Sequence, residues 1–408
     1  MSGLQRQLRH IARRILFLPV LLGAVIWASH SEAMAQKTEI VNGTRLVHNE
    51  KGGRWGGTPR VRLELIRKIG GPEETNPNLA FNAVYDVSVD SQGNIYVLDT
   101  GNNRIQKLDP DGRFLRSIGR RGQGPGDIQR ALSMDIDPQD LLYVSESGNM
   151  RLQIFDAAGK PLRELKNKIP WPYRIRRLPS GLIVRGGSPN PRKLMANPGK
   201  LPPLLELLEP DGKVRKAFGE ARDYSNALVN GKANEFELDA DRQGNILLSF
   251  WYQNRIDKYS PDGELLWRAD RPLNYGTAVI DKGNIKHMFD GGTAIIAPRM
   301  NSVSMGIAAD VKGRVWVNIR NRQMTPEEEG RSVSVGGATR TTRESRITKM
   351  DINKLEIFDP DGSLLGEIPL GHLADGMRIA GDSLFIWDRS NSIIYQYRIN
   401  ENQPGGPN

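Results

Sequence analysis

Short apolar runs broken by alternating polar positions recur along the chain, and each ends in a cluster of turn-forming residues. The clearest copy is Asp90-Ser91-Gln92-Gly93-Asn94-Ile95-Tyr96-Val97, followed by Asn102-Asn103-Arg104-Ile105-Gln106-Lys107-Leu108 and Asp109-Pro110-Asp111-Gly112-Arg113-Phe114-Leu115. Alternation with a period of two predicts strands, and Gln-Gly-Asn and Pro-Asp-Gly predict tight turns because those residues tolerate or require positive φ. The phrase returns at residues 141–159 and again at 241–267. Weaker copies occupy 179–212, interrupted by a Pro-rich insertion at 188–203, and 310–362, interrupted by a long polar segment. A sixth copy, 382–398, stops without a Pro-Asp-Gly turn or an outer strand.

The missing strand is available at the other end of the chain. Residues 61–70 read Val-Arg-Leu-Glu-Leu-Ile-Arg-Lys-Ile-Gly, similar to Phe114-Leu115-Arg116-Ser117-Ile118-Gly119 of the first repeat. Pairing that strand with the last three closes a ring and removes the free sheet edge that would invite aggregation. The expected fold is all-β, a six-bladed β-propeller over residues 60–399, with 36–59 as a linker and 400–408 as a tail. The stretch from Gly101 to Gln106 resembles the NHL repeat, and Gly122-Gln123-Gly124-Pro125-Gly126-Asp127 is similar to a phrase of exported bacterial six-bladed propellers of unassigned function. The resemblance covers most of 61–399 and implies the fold. It implies no activity, because NHL propellers include both lyases and binding scaffolds.

The first 35 residues differ in kind. Arg6, Arg9, Arg13 and Arg14 precede an apolar run from Ile15 to Ala28, followed by Ala33-Met34-Ala35. This order of basic, apolar and small-x-small segments predicts an export signal cleaved after Ala35, which places the mature chain in the periplasm or outside the cell. An uncleaved N-terminal anchor is the other reading; after cleavage no membrane span is expected. Asn42-Gly43-Thr44 fits an N-glycosylation acceptor, relevant only in a eukaryotic host.

Composition narrows the chemistry. The 408 residues contain no cysteine, which excludes disulfides, thiol nucleophiles and cysteine metal sites, so the fold rests on burial. The net charge is +10, of which the first 35 residues supply +3 and the remainder +7. Such an excess suits solubility or anionic surfaces. The basic charge is the one feature that would favour nucleic acid, and export argues against that partner; the chain is expected to be a monomer.

Candidate chemistry lies where the first strand of each repeat would line a central channel. Aligned on their first turns, the repeats place Asp86, Ser133, Arg174, Glu237, Gly306 and Gly376 at one level. Asp86 and Glu237 could bind a hard cation such as Ca2+ or act as an acid/base pair, with Arg174 holding an anionic group; alternatively the three form a salt-bridge network. The repeated Asn-Arg pairs read as structural, the arginines capping carbonyls between neighbouring blades. Only His48, His287 and His372 follow the signal. The histidine set that binds zinc in NHL amidating lyases is therefore lacking, and among the histidines His287 is the best acid/base candidate, beside Asp86 and Glu237. Gly122 to Gly126 lacks the ending of a phosphate loop and reads as a turn. Trp171, Tyr173, Trp251, Tyr252 and Tyr275 fall near the same loops, as stacking surfaces or as packing between blades.

With no complete catalytic motif, the residues favour an exported binding or scaffold module over an enzyme, holding a peptide, glycan or protein partner on its loop-bearing face without a cofactor. The alternative is a calcium-like metal-dependent lyase or hydrolase at the channel, resting on Asp86 and Glu237.

Overall fold

The computed structural model describes residues 36–166, 174–197, 199–287, 293–328, 331–335, 338–342, 347 and 349–402. The segment read as an export signal, the last residues of the tail, Trp171 and Tyr173 lie outside the described residues. Among the described residues the repeats form six antiparallel blades of four strands each. Blade one is Val84–Val89, Ile95–Asp99, Arg104–Leu108 and Phe114–Ile118, and blade two is Ala131–Ile136, Leu142–Glu146, Arg151–Phe155 and Pro161–Leu165. Blade three is Arg174–Arg177, Ile183–Gly186, Leu205–Leu208 and Val214–Phe218; blade four is Phe236–Ala240, Ile246–Phe250, Ile256–Tyr259 and Leu265–Asp270. Blade five is Ser304–Ala309, Val315–Arg320, Asn353–Phe358 and Leu364–Pro369. Blade six takes Gly376–Ala380, Ser383–Asp388 and Ile393–Glu401 from the C-terminal end and Val61–Gly70 from the N-terminal end. The first strands of successive blades are neighbours from one to six and back to one, so the chain is a six-bladed β-propeller.

The local reasons are legible in each turn. At the end of the first strand of blade one, the Asp90 carboxylate accepts from the amides of Gln92 (3.1 Å) and Asn94 (2.8 Å). Gly93 sits at φ +82°, a conformation a β-carbon would strain. Asp241 and Gly244 repeat the arrangement in blade four, and Asp310 and Gly313 in blade five. The second strands, such as Ile95–Asp99, Ile246–Phe250 and Val315–Arg320, are buried throughout, which is why their sequences run apolar rather than alternating. Between blades six and one, Ile69 packs with Phe385, Ile394, Val87 and Val97, so the strand from the N-terminal end joins the core. Burying each such side chain contributes about 1.5–3 kcal/mol.

The repeated arginines cap carbonyls, as their regular spacing implies. Arg104 donates to the carbonyls of Ala80 and Pro77, Arg151 to those of Gln123, Gly124 and Asp127, and Arg255 to that of Glu220. Each reaches the connection that enters its own blade.

One correction concerns residues 36–59, expected to be a linker. Lys37–Val41 and Thr44–His48 form a hairpin, and its second strand adds in parallel to the outer strand of blade four. Asn42 (φ +50°) and Gly43 (φ +79°) make the turn, the Asn-Gly signature of a two-residue hairpin. The chain then crosses blade five, where the amides of Arg54 and Trp55 donate to the carbonyls of Leu364 (3.0 Å) and Leu365 (2.7 Å), before entering blade six. The N-terminal region is thus a strap across three blades.

Candidate functional site

The first strands carry side chains toward the channel at every second residue, which creates two levels. The upper one contains Asp86, Ser133, Arg174, Glu237, Gly306 and Gly376, the residues aligned from the repeats. Two residues further along each strand stand Ser88, Asp135, Arg176, Asp239, Ala308 and Arg378, and that lower level supplies most of the charge. Register shifts next to Asp86, Ser133 and Gly306 mark bulges at the start of three first strands, a common way of re-aiming side chains at a channel rim.

The charges pair across blades. Arg174 donates to Glu237 and, at 2.7 Å, to the carbonyl of Leu132. Asp86 is 3% exposed and accepts from Arg378 (3.0 Å), Ser133 (3.1 Å) and the Met134 amide (3.0 Å). Arg176 donates through Nε to Asp239 (3.0 Å), and Arg378 reaches the same carboxylate at 3.3 Å. Burial opposes the charge on Asp86, but Arg378 and Arg176 outweigh it and hold the carboxyl below its usual range. For Asp135 the balance reverses: burial raises its pKa despite the same two arginines. Burial likewise raises Glu237 despite Arg174.

Asp86 and Glu237 therefore do not face each other as a free pair; each is engaged by a different guanidinium. Among the described residues no group of three or more His, Asp or Glu side chains is arranged to hold a metal ion. Trp251 donates its indole N–H to Glu237 at 3.2 Å, whereas Tyr252 packs in a small cluster with Val229, Ala233 and Met300, the ammonium of Lys232 over its ring. The Tyr275 hydroxyl donates to the carbonyl of Arg320 at 2.7 Å. The side chain of His287 lies outside the described residues, as do Trp171 and Tyr173. Beside the Arg174–Glu237 pair stands a residue the repeat alignment does not single out, Glu235, whose carboxyl burial raises to about 7. It lies two residues before Glu237, just ahead of the strand Phe236–Ala240, with its amide donating to the carbonyl of Lys232.

All the long insertions leave from one end of the ring, because they sit between blades or between second and third strands. They comprise the helix Pro191–Ala196, the helix Ala227–Ala233, the paired strands within 279–300 and the hairpin of Arg331–Val335 with Ala338–Thr342. Large apolar side chains stand exposed on them: Met195 (38%), Ile280 (57%), Ile295 (41%), Ile296 (41%) and Met350 (46%). At the opposite end, the first turns of the blades surround a cleft of about 440 Å³ whose lining includes Asp135, Arg176, Asp239 and Arg378.

Comparison with known proteins bears on the fold. A protein-family model described as a 6-bladed beta-propeller matches residues 72–173. No curated protein matches the sequence. A Bacteroides fragilis protein described as exported superposes with a TM-score of 0.55 at 9% identity, covering 88% of this chain and 100% of that one. A Bacteroides vulgatus protein from a family without assigned function gives 0.52 at 10% identity, over 84% and 99% of the two chains. A PQQ-bound aldose sugar dehydrogenase from Streptomyces coelicolor gives 0.50 at 13% identity, over 84% and 99%. At these identities the likeness is one of fold.

Proposed function

We propose that this protein is an exported binding module that takes a peptide or protein partner on the end of the ring bearing the insertions. The observation that carries this reading is the set of exposed Met195, Ile280, Ile295, Ile296 and Met350, all on insertions that leave the same end. Exposed apolar side chains on protruding elements at one end suit a macromolecular partner, since each gains burial on association. The engagement of Asp86 and Glu237 by arginines supports binding over catalysis at the channel, because neither carboxylate is free to ligate a cation or move a proton without breaking an ion pair.

A photo-crosslinking residue at Ile295, in the cells that produce the protein, tests the proposal. The expected result is a discrete protein adduct that disappears with Ile280→Asp and Ile296→Asp and does not form from the same probe at Leu115 on an outer strand. Adducts formed equally from both positions, or from neither, would overturn it.

A further inference from the structure

At the end of the channel opposite the insertions, the cleft of about 440 Å³ is closed at its base by the lower level of channel residues. The rim aspartates are already occupied with their own turns and blades: Asp90 with Lys107 (3.1 Å), Asp241 with Lys258 (3.2 Å) and Asp310 with Arg314 (2.6 Å). Two polar atoms of the base remain. Arg176 uses Nε and Nη1 on Asp239, Asp86, Ser133 and the carbonyl of Ile175, while its Nη2 meets no partner among the described residues. Its side chain is only 6% exposed. Asp135 accepts the Arg177 amide through Oδ2 at 2.6 Å, while its Oδ1 meets only Nη1 of Arg378 at 3.8 Å, beyond hydrogen-bond length.

A donor on a side chain 6% exposed and an acceptor on one 15% exposed thus line one cleft, each left open to a partner supplied from the cleft itself. The surrounding charges limit what can supply it. Three carboxylates, on Asp86, Asp135 and Asp239, stand among two guanidiniums, on Arg176 and Arg378. An anion would meet the carboxylates and an inorganic cation the guanidiniums. A neutral molecule with adjacent hydroxyls avoids both penalties, one oxygen accepting from Arg176 and a neighbouring hydroxyl donating to Asp135. Ile136, Leu178 and Ile379 add apolar wall for its C–H faces, and the volume suits a sugar of one or two rings.

The geometry points to a second site on this protein, a carbohydrate or polyol pocket at the channel end opposite the insertions, with Arg176 and Asp135 as its polar anchors. It is independent of the partner surface proposed above.

Titration of the purified protein by ligand-observed NMR tests it, with glucose, galactose, N-acetylglucosamine and sucrose as probes and inorganic phosphate, calcium chloride and lysine as comparators. At least one sugar should bind saturably and in preference to the comparators. Asp135→Asn keeps an acceptor for the Arg177 amide but turns the atom facing the cleft into a donor, and should weaken that sugar at least tenfold. Val311→Trp narrows the mouth from an exposed position without touching the base, and should abolish binding in a folded protein even if the first variant fails to fold. Trp251→Ala, at the other end of the channel, should leave it unchanged. Failure of every sugar to bind, preference for a comparator, or undiminished sugar binding in Val311→Trp would overturn the assignment.

Discussion

Nε of Arg271 lies 2.7 Å from Oε2 of Glu356, and the two side chains are 0% and 2% exposed. The pair joins the end of blade four to the third strand of blade five, and Arg271 also donates through Nη2 to Ser304 at 2.7 Å. Burial raises the pKa of Glu356 against the pull of Arg271 and Lys354, so the carboxylate depends on its partner. Removing one member of such a pair leaves a stranded charge, whereas replacing both with apolar groups does not. Glu356→Ala should therefore cost about 3–5 kcal/mol in chemical denaturation. The double variant Arg271→Met/Glu356→Leu should recover most of the loss, and a single-variant cost under about 1 kcal/mol would contradict this account.

The strand Val61–Gly70 pairs with Ile393–Glu401 along its whole length, and Ile69 is 4% exposed in the core between blades six and one. Ile69→Ala should lower stability by about 2–5 kcal/mol, the usual range for a truncated core aliphatic. Deleting residues 61–70 should expose the edge of blade six and depress the melting temperature far more. A deletion protein that melts like the parent would show that the ring does not need this strand.

Two histidines should give stability opposite dependences on pH. His372 stacks on Tyr395 with 3.7 Å between ring centroids, and burial lowers its pKa despite the Leu373 carbonyl that favours the proton. Its contribution is complete above the unfolded value near 6.5 and is lost as pH falls from there through the lower folded pKa. His48 meets Asp270 at 2.7 Å, and that hydrogen bond raises its pKa against the opposing effect of desolvation. Its contribution is complete below about 6.5 and disappears as pH rises through the higher folded pKa. Melting temperatures of His372→Gln and His48→Gln across about pH 5–8 check both signs. The first should flatten the acid side and the second the neutral-to-alkaline side; the reverse assignment would refute the contacts described.

The upper channel level was legible because the repeats align on their turns, which places Asp86, Arg174 and Glu237 together without knowledge of the fold. The residues that neutralise Asp86 were equally present in the strings, two positions past the aligned ones, yet Arg378 in blade six and Arg176 in blade three reach it only across the ring. The hairpin at Lys37–Val41 and Thr44–His48 carried its Asn-Gly signal openly. What hid its role was its docking strand, Leu265–Asp270, more than two hundred residues away.

Strand alternation, turn chemistry and the count of repeats are local properties, written within a few residues of one another, and the sequence by itself determined the six blades and the strand that completes the last. Which guanidinium answers which carboxylate, where Tyr252 and Tyr275 come to rest, and which end of the channel opens into a cleft were decided only by the tertiary structure. Those outcomes depend on distances across the ring between residues that share no local pattern, set once six sheets pack around a common axis.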